Sequence, residues 1–64
     1  METVYTITLE TPAGETLYAY TYYFRAKYRA TMERKRIETD HPECVYRVVK
    51  ITAAEAERMG FGEV

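Results

Sequence analysis

From Leu17 to Phe24 the chain reads Leu-Tyr-Ala-Tyr-Thr-Tyr-Tyr-Phe, so an aromatic ring stands at every second position through Tyr18, Tyr20, Tyr22 and Phe24. In an extended strand alternate side chains leave opposite sides of the sheet, and these rings therefore form one row. A large aromatic hides about 150–250 Å² when buried, and a contiguous apolar patch left to water is unusual. Whatever else folds must supply a cover for that row.

The strand's partner lies just upstream. Thr3 to Thr11 alternates, with Tyr5, Ile7 and Leu9 on one side and Val4, Thr6 and Thr8 on the other. Between the two runs, Thr11-Pro12-Ala13-Gly14-Glu15 sets Pro where a type I turn fixes φ and Gly where a left-handed bulge residue is required. A tight hairpin is predicted, with Thr11 paired to Glu15. Counting back from that pair sets Leu9 opposite Leu17, Ile7 opposite Ala19, Tyr5 opposite Thr21 and Thr3 opposite Tyr23 on an inner face. Thr8, Thr6 and Val4 then meet Tyr18, Tyr20 and Tyr22 on the other, as β-branched and aromatic cross-strand pairs.

After Phe24 the period changes. Ala26, Ala30 and Ile37 fall on one arc of a helix that Pro42 must stop, with its end near Asp40 and His41 beside the carboxyl-terminal turn. Cys44 to Thr52 reads as a third strand, and Val45, Arg47, Val49 and Ile51 are assigned to the side of the long helix. Thr52-Ala53-Ala54-Glu55 is a capping box, and Gly60-Phe61 has the form of a glycine stop. A short helix over Ala53 to Met59 follows. The result is an α+β domain over residues 1–64, of type ββαβ(α): a three-stranded sheet in order 3-1-2, one long helix on one face and a short C-terminal helix. The order 1-2-3 is the alternative.

A chain of 64 residues buries only about 60% of the surface it exposes when unfolded. The single Cys44 excludes an intrachain disulfide, so packing or association must supply the rest. A net charge of -1 gives no bulk attraction to nucleic acid or to an anionic membrane. The start Met1-Glu2-Thr3 lacks the basic and apolar regions of a signal peptide, and no run is long enough to span a membrane. A cytoplasmic, reducing setting is expected.

With Tyr46 and Val48 assigned outward on the third strand, the side away from the long helix would carry Val4, Tyr18, Tyr20, Tyr22, Tyr46 and Val48. Its cover is the short helix with Met59 and Phe61, a second copy of the chain, or a different macromolecule. Arg25, Arg29 and Arg36 align with Met32 on one row of the long helix and suit a polar rim or phosphate contact. Salt bridges from Glu33 to Arg29 and Arg36, and from Glu38 to Arg34, would neutralise part of it. Glu33 lies within the apolar arc, and Arg47 is expected to meet it across the helix-sheet seam.

Asp40-His41-Pro42-Glu43-Cys44 holds two residues that bind zinc elsewhere, but a structural zinc site needs four ligands and no second pair exists. A turn accounts for the segment. No catalytic residue, cofactor site, metal site or small-molecule pocket is expected, and the chain is read as a non-enzyme.

In its Val4 to Thr11 and Glu15 to Phe24 hairpin, its single charged helix ending at His41-Pro42, and its Thr52-Ala53-Ala54-Glu55 tail helix, the chain resembles small phage- or prophage-encoded accessory proteins of the anti-CRISPR and anti-defence type. That resemblance implies an inhibitor working in the host cytoplasm, without chemistry of its own, by occupying a surface of a larger protein or nucleoprotein. The expected contact residues are Tyr18, Tyr20, Tyr22 and Tyr46 as anchors with Arg25, Arg29 and Arg36 as rim, in a protein-binding module that acts alone or as a homodimer. The alternatives are a small nucleic-acid-binding protein using the same arginines and tyrosines, and a structural or designed mini-domain.

Overall fold

The clearest turn signal in the chain forms as its residues require. In the computed structural model, which describes residues 2–64, the Thr11 amide donates to the Glu15 carbonyl at 2.9 Å, and Gly14 sits at φ +88°. A side chain at that φ would be strained, which is the physical demand for Gly. The turn joins β1 (Thr3–Glu10) to β2 (Thr16–Tyr18), with Leu9 opposite Leu17 and Thr8 opposite Tyr18.

Beyond Ala19, whose amide still reaches the Ile7 carbonyl, the expected register fails. Tyr5 exchanges both backbone hydrogen bonds with Phe24, not with Thr21. One β1 residue, Thr6, thus spans the same distance as Tyr20 to Tyr23, and the extra residues bow out of the ladder. Their backbone groups find partners elsewhere. The fully buried Thr6 hydroxyl donates to the Tyr22 carbonyl at 3.0 Å. The C-terminal strand β5 (Gly62–Glu63) pairs in parallel with β3 (Tyr22–Tyr23), its flanking amides reaching Thr21 and Tyr23 at 3.1 Å. The break carries an odd number of extra residues, so it exchanges faces and the aromatic row is divided.

The long helix α1 (Lys27–Asp40) ends at His41, whose amide donates to Ile37 at 3.0 Å. It leads through a turn to β4 (Val45–Thr52), which pairs antiparallel with β1 along its whole length. The main sheet is therefore β2-β1-β4, the expected order with β1 central. Thr52 then caps α2 (Ala53–Arg58), its hydroxyl accepting from the Glu55 amide at 3.0 Å. Gly60 at φ +79° stops it, and the Phe61 amide closes on the Ala56 carbonyl.

The face assignment of β4 is corrected. Leu9 pairs with Tyr46 and Ile7 with Val48, so Tyr46 and Val48 share the α1 side with Phe24 and Ala30. Val49 and Ile51 lie on the far side with Val4 and Ala56. Both sides of β4 carry apolar residues and one cation each, Arg47 on one and Lys50 on the other, so alternation could not orient it. Arg47 points away from α1 and approaches Glu10 at 3.9 Å, so the expected Glu33–Arg47 contact does not exist. Nor is the far side open along its whole length. Val4, Thr6 and Ile51 are buried there, with Ala56 of α2, Phe61 and Tyr23 packed on the Val4–Ile51 cluster, while Tyr18 and Val45 toward the hairpin end stay about half exposed. Among the described residues no helix is long and apolar enough to cross a membrane.

Candidate functional site

Only Ala30 of α1 is fully buried, and the helix lies on the sheet through small residues. Its solvent side carries two large apolar groups one turn apart, Tyr28 at 67% exposure and Met32 at 65%. Beside them runs an open groove of about 540 Å³, floored by Tyr22 and Phe24 and walled by Met32, Arg29, Arg36 and Val64. A smaller hollow of about 290 Å³ continues it past Arg25 and Ala26 to Glu63. Phe24, Tyr28, Arg29 and Val64 line both, so the two form one furrow between α1 and the chain's last residues.

The floor is stiffened by its own rings. Tyr20 stacks on Tyr22 with centroids 4.8 Å apart and planes 9° from parallel, and Tyr22 meets Phe24 edge to face at 5.6 Å. The Tyr20 hydroxyl donates to Glu33 Oε2 at 2.6 Å. Glu33, its side chain 20% exposed, also accepts from Arg36 Nε at 3.1 Å. The Arg36 hydrogen bonds, then that of Tyr20, hold the Glu33 carboxyl below its ordinary range. Burial, followed by the bond to Glu33, raises the Tyr20 phenol above its ordinary value, and burial raises Tyr22 as well.

The cations differ in how far they are neutralised. Arg36 is held by Glu33 and lies 3.6 Å from Asp40. Arg25 pairs with Glu63 at 2.7 Å and with Glu2. Arg34 pairs with Glu38 as expected. Arg29 has no acidic partner among the described residues, and the expected pair with Glu33 does not form. The furrow thus offers an apolar floor, two exposed apolar side chains and one uncompensated guanidinium.

Of the residues singled out in the sequence, Tyr22, Arg29 and Arg36 meet in the furrow, with Tyr20 beneath Glu33 and Arg25 at the far end. Tyr18 does not join them: it is on the opposite side of the sheet, edge-on to Phe61 at 5.3 Å. Tyr46 is 6% exposed under α1 and offers no contact surface. Tyr28 and Val64 were missed. The spacing of Tyr28 from Met32 was a usable signal, whereas nothing local points to Val64. In the turn after α1, His41 Nδ1 lies 3.6 Å from Glu43, and Cys44 is partly exposed. No group of three or more His, Cys, Asp or Glu side chains among the described residues is placed to hold a metal ion. Comparison with protein-family models, with curated proteins and with solved structures finds no match to this chain.

Proposed function

We propose that this chain is a non-enzymatic protein-binding module that acts in the cytoplasm by occupying a surface of its partner, with the α1 furrow as the contact patch. The observation that carries this reading is the exposure of Tyr28 and Met32, the two most exposed of the large apolar side chains, beside the Tyr22–Phe24 floor. Tyrosine, methionine and arginine are the residue types enriched where protein interfaces lose water. Arg29 asks for a carboxylate, so the partner presents an apolar side chain next to an acidic one. Likeness in size and element order to small phage-encoded inhibitors supports an anti-defence role for such an occupying surface.

The experiment is capture from a host lysate with the wild type, with a Tyr28→Ser/Met32→Ser variant and with a Tyr18→Ser control from the opposite face. Both furrow side chains are mostly exposed, so the variant should keep its far-UV spectrum and melting point while losing the captured protein; the control should keep the captured protein, its melting point lowered only by loss of the Tyr18–Phe61 contact. Capture that survives the furrow variant sinks the proposal. Captured material that is nuclease-sensitive and falls away steeply with salt would favour nucleic acid instead. The arginines argue against that outcome, because Arg25 and Arg36 are already engaged by carboxylates.

A further inference from the structure

Among the described residues, β4 has a partner on one edge only. It pairs with β1 from Val45 to Thr52, and no described strand lies on its other side. The phase of the ladder says which groups that leaves open. Tyr5 bonds to Phe24 and Ile7 accepts from Ala19, so these β1 residues turn their backbone groups away from β4. The intervening residues Val4, Thr6 and Thr8 turn theirs toward it, to Ile51, Val49 and Arg47. Tyr46, Val48 and Lys50 therefore direct their N–H and C=O groups outward, and none of these has a hydrogen-bond partner among the described residues. The strand has no proline to blunt this edge.

Charge decides what can lie along it. The only charged side chains of β4 are Arg47 and Lys50, and they leave opposite faces of the sheet. Arg47 comes no closer than 3.9 Å to Glu10, and Lys50 has no acidic partner among the described residues. A second copy fits poorly. Antiparallel pairing through the outward residues, centred on Val48, sets the two Arg47 side chains diagonally adjacent, where like charges repel. An acidic strand fits well: carboxylates three residues apart fall on opposite faces, one against Arg47 and one against Lys50. The two residues between them lie against Val48 and Val49.

We propose that the free edge of β4 is a strand-addition site for an extended acidic protein segment whose two carboxylates flank a β-branched pair. Main-chain hydrogen bonds to Val48 and Lys50 hold it, and the two cations select it. This site is on a different element edge from the α1 furrow and does not depend on it.

The test is a titration of isotopically labelled protein with the capped peptide Thr-Glu-Val-Val-Glu-Thr, followed by amide shifts and hydrogen exchange. Shifts should centre on Tyr46, Val48 and Lys50, with exchange at these amides slowed about tenfold at saturation. Reversing the charges with Arg47→Glu/Lys50→Glu should weaken this peptide about tenfold and admit Thr-Lys-Val-Val-Lys-Thr in its place. Both side chains are exposed, and an unchanged spectrum of α2 amides verifies folding. A peptide N-methylated on its β4-facing amides should lose binding. No response at about 1 mM peptide, undiminished binding of the N-methylated form, or shifts confined to Tyr28 and Met32 would each overturn the proposal. So would dilution-dependent shifts of the same amides in the protein alone, which would assign the edge to a second copy.

Discussion

Glu33 is the residue whose surroundings were hardest to foresee and are easiest to test. Within the arc that faces the sheet an isolated carboxylate would be costly, but here it accepts from Tyr20 and Arg36. Its folded pKa lies below the ordinary value of 4.5. Its stabilising contribution is therefore complete above about pH 4.5 and lost as pH falls through the lower folded value. The wild type should lose stability on acidification, and Glu33→Gln should flatten that acid limb in urea titrations at successive pH values. The Tyr20 phenol is raised above its ordinary 10.0, so its contribution holds below about pH 10 and fades in more alkaline solution. Tyr20→Phe should cost about 1 kcal/mol near neutrality, the scale of one hydrogen bond to a charged group that is partly exposed. The Arg36 bond follows from its three-residue spacing, whereas the Tyr20 bond could not be read from the sequence, because Tyr20 reaches Glu33 only after the register break turns it toward α1.

At the scale of the elements, the two helices start differently. α2 has six residues, a hydroxyl cap from Thr52 and Arg58 in its last turn. α1 has fourteen residues, begins at Ala26 without a side-chain cap, and carries no acid in its first turn. Ala26 has the extended backbone of a capping residue, φ −102° and ψ 129°, and lacks only the oxygen. Ala26→Ser should therefore raise the unfolding free energy measured in urea by about 0.5–1 kcal/mol, and Thr52→Ala should lower it by about 1 kcal/mol. The aromatic strand shows where element-level reading stops. Its residues obey strand alternation through Ala19, but a second strand with unbroken pairing would have left Tyr18, Tyr20 and Tyr22 in one exposed row. The break sends Tyr20, Tyr22 and Phe24 to the α1 side and leaves Tyr18 with Phe61.

For the whole molecule, the consequence is that each sheet face has a core of its own. α1 packs on one side and α2 with Phe61 on the Val4–Ile51 end of the other, and Arg25 ties the two ends of the chain together through Glu2 and Glu63. Along the furrow a narrow apolar strip of Tyr28, Met32 and Val64 stays exposed, and away from it Leu17, Tyr18, Val45 and Met59 are exposed as well. A stable dimer buries about 800 Å² per partner, far more than this strip offers by itself. Sedimentation equilibrium at micromolar concentration should return the mass of one chain. A dimer that dissociates in Tyr28→Ser/Met32→Ser would instead make the furrow a self-association surface and count against a different protein as its occupant.

The hairpin turn, the α2 caps, the stop at Pro42 and the α+β order of elements are all written in residues a few positions apart, because each is a local contest between backbone conformations. Side-chain burial is not local in that sense. β4 carries apolar residues and one cation on each side, so its orientation waited on its register with β1. The bowed segment after Ala19 persists because the amides of Gly62 and Val64, some forty positions away, satisfy the backbone it frees. The same long-range pairing sets Val64 beside Phe24 and makes the furrow.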